Sequence, residues 1–346
     1  MGTIFVDRLS DALEARVFSK VKFRENQIPR YLYHYTKKEG FEGITKQNRL
    51  RATSASEAQK NDEDEIRFGC NLFGRLINDR IANGGVSKFT LALLESLKSH
   101  VQERIPSIFL TSFCTLSDDQ KMYKTFGDYC IRFSVDHKNA VGLIAPKGLA
   151  AGQGFLTELL PATYDAKEQQ TALGSLLDPL IETLEDRSLI SDFDPSGWSS
   201  EMAKFIAFTV SDLALTSITR MKNAEYRREN EWRLVVRPWR LRFSSDPSEA
   251  DRNCECFIRQ GPQKRYVELA PLEPVQPIVS GRVFGLAQNE VALPISTVRV
   301  NFHHKDELES ARHWLAELDL DSIEVLKRRL SKKVVYRIGG LFRRLF

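Results

Sequence analysis

The spacing of apolar positions divides the chain into alternating strand-like and helix-like stretches. Val6, Leu9, Leu13 and Val17 recur at helical intervals, so residues 1–30 read as an amphipathic helical segment running up to Pro29. Tyr31-Leu-Tyr-His-Tyr-Thr36 is rich in aromatics and predicts a strand, closed by a threonine suited to capping the next helix. A short helix over Lys37–Lys46 and a second strand over 49–54 follow. Ser54 and Glu57 have capping-box spacing, and Asn61–Glu65 reads as a polar loop. Helices are expected over about 65–82 and 87–104, parted by Asn83-Gly-Gly85. Strands are expected over 107–115 and 129–135, with Ser117-Asp-Asp119 capping a short helix between them.

Residues 155–164 read as extended. Leu173, Leu176, Leu177, Leu180 and Leu184 then take up helical spacing, and Met202, Phe205, Ile206 and Leu213 continue it, so 165–220 reads as a helical insertion. Strands are predicted at 231–237, 254–259, 264–269, 278–283 and 297–301, before an amphipathic helix at 304–317. The fold class is α+β. The boundaries are an N-terminal segment 1–30, a mixed core 31–338 and a basic tail 339–346.

Composition narrows the class. The 346 residues carry a formal net charge of +4 with 42% hydrophobic residues, which excludes a disordered or collagen-like chain. No apolar run approaches the ~18 residues that a spanning helix needs. The five cysteines are odd in number and lack CxxC spacing, so reduced thiols and a cytoplasmic setting are expected. Residues 326–346 hold eight Lys/Arg and no acid, which leaves the remainder at 4 − 8 = −4. That basic end reads either as a solvated strand and helix or as a contact for nucleic acid or an anionic surface.

The sequence contains no phosphate-loop motif, no GxGxxG, no HExxH and no GxSxG. His303, His304, His313 and the Cys254-X-Cys256 pair match no zinc spacing, so no metal site is expected. Three segments carry candidate chemistry. They are His34 within its aromatic strand, Ser112 and Thr115 followed by Asp118, Asp119 and Tyr123, and the run Lys222…Glu229-Asn-Glu231-Trp-Arg233. Residues two apart in a strand share a face, so Glu229 and Glu231 are expected to point together. Glu231 and Arg233 also read as an ion pair on a solvated face.

YLYHYTKKEGFEGITKQNRLRATSASEAQKNDEDE, SFCTLSDDQKMYKTFGDYCIRFSV and KNAEYRRENEWRLV together resemble blocks of the bacterial domain-of-unknown-function 2971 family. The later VQPIVSGRVFG adds a further block. The resemblance spans about 31–338. Cys114 and Tyr123 depart from its usual pattern. The order of elements in turn resembles an ADP-ribosyltransferase-like split β-sandwich core.

This resemblance implies NAD as substrate and ADP-ribosyl transfer to a macromolecular acceptor, protein or nucleic acid, in a bacterial toxin or antiphage defence effector. It assigns Glu231 to the ribose at the reacting centre, Glu229 to the acceptor and His34 to a ribose of NAD. Tyr35 or Tyr123 would stack on nicotinamide, and Ser112 would orient ribose or carboxylate. Thr36 joins the NAD-contacting group, and Arg49, Arg51 or Lys222 would hold the diphosphate. Arg227 and Arg228, ahead of the Glu231 strand, would face an anionic acceptor. A near-isosteric Glu231→Gln is then expected to abolish NAD cleavage with little loss of folding. Two other readings of the residues remain. One is a nucleic-acid-binding or nuclease-like defence effector without NAD chemistry, and the other a protein-interaction module built on 165–220.

Overall fold

The computed structural model describes residues 28–58, 65–135, 143–144, 154–186, 206–207, 210–211, 214–239, 258–261, 264–271, 292–301 and 305–327. The expected segment 1–27, the strand at 278–283 and the basic tail beyond 327 lie outside them. The α+β class holds: one large, mostly antiparallel open sheet is flanked by helices.

The strands are β1 (Tyr31–Thr36), β2 (Leu50–Ser54), β3 (Phe109–Cys114), β4 (Tyr129–Ser134), β5 (Leu143–Ile144), β6 (Gly154–Pro161), β7 (Glu231–Trp239), β8 (Ile258–Gln260), β9 (Arg265–Pro271), β10 (Ile295–Val300) and β11 (Glu324–Lys327). The helices are α1 (Lys38–Gln47), α2 (Ala55–Ala58), α3 (Glu65–Ala82), α4 (Lys88–Arg104), α5 (Gln120–Phe126), α6 (Ala166–Glu185) and α7 (Lys305–Glu317). Caps account for several boundaries. Ser87, Asp119 and Asp165 accept hydrogen bonds from the first free amides of α4, α5 and α6. Asn48 ends α1 in the left-handed region at φ 53°.

Two local expectations change. Ser54 is no capping-box residue: its hydroxyl pairs with that of Ser56 and donates to the Pro106 carbonyl. The strand expected from 107 begins at Phe109, because Ile105–Ser107 forms a 3₁₀ turn around Pro106, with the Ser107 hydroxyl donating to Arg104 O.

Within the sheet the path runs β11-β10-β4-β1-β3-β2-β9-β5. β3 carries β7 along its whole length on one edge, and β6 lies beyond β7. The other edge of β3 is shared. Its C-terminal end meets β1 (Tyr33 opposite Cys114) and its N-terminal end meets β2 (Thr53 opposite Leu110). The sheet therefore forks along β3, between β1 and β2.

The two faces are built differently, and β7 shows how. Trp232, Leu234 and Val236 enter an apolar core closed by α1 and α7. Glu231, Arg233, Val235 and Arg237 alternate onto the opposite face, and all four are buried. That face is covered in two places. α3, α4, α6 and the residues Ile206, Ala207, Val210, Ala214, Leu215 and Ile218 close a leucine-rich core over Leu110 and Val235. The five leucines of α6 that show helical spacing are all buried there. α5 closes a smaller cluster of Tyr35, Cys114, Met122, Tyr123 and Cys130. Among the described residues no helix is long and apolar enough to cross a membrane.

α5 joins β4 through Gly127, at φ 130°. A Cβ there would lie 2.5 Å from the Thr36 carbonyl and from Lys37 N, all backbone atoms. Gly127→Ala is expected to cost about 2 kcal/mol or more, since the strained φ and the backbone clash act together. Urea unfolding of the variant beside wild type measures this, and an unchanged midpoint would contradict it.

Candidate functional site: a buried carboxylate cluster beside the sheet fork

Glu229 and Glu231 converge, as expected, but by another route. Glu229 ends the 3₁₀ turn Ala224–Glu229 and lies outside the strand. Asn230 then takes a left-handed conformation (φ 46°), and its side-chain amide donates to the Thr115 hydroxyl. Asparagine tolerates this region better than most residues. The turn brings both carboxylates to one cation: Lys222 Nζ lies 2.7 Å from Glu229 Oε2 and 2.7 Å from Glu231 Oε2.

Arg233 completes the cluster. Its Nε donates to Glu231 Oε1 at 2.9 Å, its Nη2 to Glu231 Oε2 at 3.3 Å and its Nη1 to Thr219 O at 2.8 Å. Two positive and two negative charges thus balance out of water, with Lys222 3%, Glu231 4% and Arg233 0% exposed. The pair expected on a solvated face is therefore internal. Burial alone would push the Glu231 carboxyl up, but the adjacent Arg233 and Lys222 charges outweigh it and hold the pKa at about 2.

The helical insertion delivers the cations' partners. Thr163 and Met221 form a parallel bridge, and Gln169 of α6 donates to both Thr163 O and Lys222 O. The backbone amide of Glu231 donates to the Tyr164 hydroxyl at 2.9 Å. Tyr164 was not singled out in the sequence, and Arg233 was read there as an ion-pair partner of Glu231 on a solvated face. The Glu-X-Arg spacing at the head of a strand was the available signal for Arg233.

Two loose backbone carbonyls at the fork are satisfied by side chains. The Thr111 hydroxyl donates to Arg51 O at 2.9 Å, and His34 Nδ1 lies 3.0 Å from Ser112 O. A carbonyl only accepts, so His34 carries its proton on Nδ1. Burial pushes the His34 pKa down, against a smaller opposing effect of the Ser112 carbonyl. A depressed histidine pKa favours the folded state above the ordinary value of 6.5, and that contribution is lost as pH falls through the folded-state value. His34→Ala is expected to cost about 1–3 kcal/mol by leaving Ser112 O without its donor. His34→Asn, which keeps a donor, should recover part of it. Urea titrations of both variants at neutral pH decide, and equal stabilities for Ala and Asn would refute the capping role.

The expected NAD-contacting residues separate into three groups. On the Glu231 face, Cys114 stands opposite Glu231 and Ser112 opposite Arg233, and Ser112 is the exposed position of β3. Arg51 shares that face through the pairing of Thr53 with Leu110, is exposed, and lies 4.6 Å from the centre of the Tyr266 ring. Ser112, Arg51 and Glu231 are thus brought to one side of the fork.

His34 is not on that side. It follows Phe113 onto the opposite face, ring to ring at 5.8 Å, so it and Glu231 do not face each other. Thr36 also alternates onto the His34 face, and its hydroxyl occupies the space that a Cβ on Gly40 would need.

Tyr35 and Tyr123 share the Glu231 side but are buried edge-to-face on each other at 4.9 Å. The Tyr35 hydroxyl is engaged by Leu116 O and Asp119 N. Neither ring is open to stack on nicotinamide. Lys222 is enclosed by its two glutamates, so it is not a diphosphate ligand. Arg49 lies 4.0 Å from Glu268, and Arg227 lies 3.8 Å from Asp165. Among the described residues no group of three or more His, Cys, Asp or Glu is placed to hold a metal ion.

No family model matches the chain, and neither a curated protein nor a solved structure matches it.

Proposed function

We propose that the chain cleaves the nicotinamide–ribose bond of NAD and transfers ADP-ribose to a macromolecular acceptor at the forked sheet, in the manner of a split β-sandwich ADP-ribosyltransferase. The observation that carries this reading is a buried carboxylate, Glu231, held by Lys222 and Arg233 at the head of β7 on the same face of the sheet as exposed Ser112 and Arg51. Bond cleavage sends the electron pair to nicotinamide and leaves positive charge on the ribose. A fixed negative group next to that carbon lowers the barrier. A carboxyl with a pKa of about 2 suits this stabilising role and is too acidic to serve as a proton donor at neutral pH.

Arg51 supplies a guanidinium for the diphosphate and Ser112 a hydroxyl for ribose. Glu229 accepts the proton that the attacking acceptor loses as it bonds to the ribose carbon. Glu231 is buried, so its surroundings have to shift to admit the ribose. His34, Tyr35, Thr36 and Tyr123 act in this reading as framework.

The test is incubation of the full chain with adenylate-labelled NAD and a lysate containing protein and nucleic acid. Transferred label together with free nicotinamide supports the reading. No transfer, no nicotinamide release and no NAD-induced thermal shift would overturn it.

A further inference from the structure

The face of the sheet that bears Ser112 continues over β1, β4, β10 and β11. On β1 it presents Tyr31 and Tyr33, both half-buried. Arg132 of β4 stands opposite Tyr33, and its guanidinium lies 4.8 Å from the centre of the Tyr31 ring. Arg30, exposed just ahead of β1, lies 5.2 Å from the same ring. Arg132 Nε donates to Ser296 Oγ at 2.8 Å, which fixes the guanidinium over β1. Arg299 of β10, opposite Cys130, adds positive charge on the same side. Among the described residues the one carboxylate on this face of these four strands is Glu324, opposite Thr297 on the outer strand. The patch thus combines two tyrosine rings with three arginines, two of which converge on one ring.

We infer that this face binds single-stranded nucleic acid. Bases stack on Tyr31 and Tyr33, and Arg30 and Arg132 pair with phosphates. Aromatic rings presented on a sheet face favour unstacked bases, and arginine beside tyrosine provides both a stacking surface and a phosphate ligand. An acidic protein would use the charges and leave the rings without a role. A duplex is read by an element that enters a groove, and among the described residues this pleated face projects none. The binding claim stands apart from the chemistry assigned to Glu231 and survives if that chemistry is absent. Where both hold, Tyr33 lies opposite Cys114 next to the fork, so a bound strand is the acceptor within reach.

Fluorescence anisotropy with the full chain, no NAD and a short labelled DNA or RNA strand of mixed sequence tests this. Binding is expected to weaken with salt with a log–log slope of about −1.4, for two phosphates neutralised. Tyr31→Ala should weaken binding roughly tenfold, and Tyr31→Phe should bind like wild type. Arg30→Gln and Arg132→Gln should each flatten the salt slope by about 0.7. Arg30 is exposed, so its variant reports even if Tyr31→Ala fails to fold. The inference is overturned by absence of binding, or by wild-type affinity and slope in both the Arg30 and Arg132 variants, which would place the contact elsewhere, such as the basic end. Tighter binding to duplex, or complete displacement by polyglutamate at equal charge, would also overturn it.

Discussion

Lys222→Met is expected to lower the unfolding free energy by about 3–5 kcal/mol, the largest stability effect of any single substitution considered. The ammonium lies 2.7 Å from one oxygen of each glutamate, and all three groups are out of water. Methionine fills similar volume but leaves two buried carboxylates with Arg233 alone. Arg233 clasps Glu231, so Glu229 is the carboxylate left buried without its cation.

The wild-type cluster is itself sensitive to pH. Its Glu231 is held at about 2 against an ordinary 4.5, so its contribution is complete above about 4.5 and is lost as pH falls toward 2. The gap between the two proteins should therefore narrow on acidification. Urea unfolding of both at neutral pH and near pH 3 is the measurement. A gap below about 1 kcal/mol, or one indifferent to pH, would mean that the cluster is worth no more than an exposed ion pair.

Glu231→Gln is expected to reduce nicotinamide release on the order of 10²–10³-fold per folded molecule, because a neutral amide cannot stabilise the ribosyl cation. The structure also revises what the substitution does to folding. In sequence the change is nearly isosteric. In place, it removes the carboxylate between Lys222 and Arg233 and turns an amide donor toward a cation. A loss of stability is expected as well, so activity has to be normalised to the folded fraction. Arg233→Lys provides the contrast: it keeps the charge but loses the two-nitrogen clasp on Glu231. That variant should melt earlier yet release nicotinamide within about tenfold of wild type once normalised. If a folded Glu231→Gln protein turns over NAD as wild type does, Glu231 is a structural ion and the reading of the site fails.

The elements themselves were largely legible. Period-two aromatics marked β1, the leucine spacing marked α6, and Asp119 capped α5 where the Ser-Asp-Asp run stood. These features depend on near neighbours, and side-chain spacing records near neighbours directly. Glu229 and Glu231 were also recognised as convergent. The reason given, shared strand periodicity, was incorrect, because a left-handed Asn230 brings them together. Ser107 was misjudged because Pro106 turns the backbone before the strand begins.

The composition of the site was a different matter. His34 and Glu231 belong to segments that sequence reasoning placed in one cleft, yet strand pairing sends their side chains to opposite faces. A single step of register reverses a side chain, and no local pattern states which strand will lie beside β3. Lys222 was assigned to the diphosphate because its charge was visible and its burial was not.

By itself, the sequence determined an α+β chain with caps, strands and a helical stretch beginning near 165, since those depend on intrinsic periodicity and end chemistry. Only the tertiary structure decided that β3 is shared by β1, β2 and β7, that the helical insertion carries Lys222 under the head of β7, and that Glu231 is thereby held ionised away from water. Those outcomes depend on contacts between residues far apart in the chain. Burial sets the strength of each charge–charge interaction, and burial is a property of the packed whole.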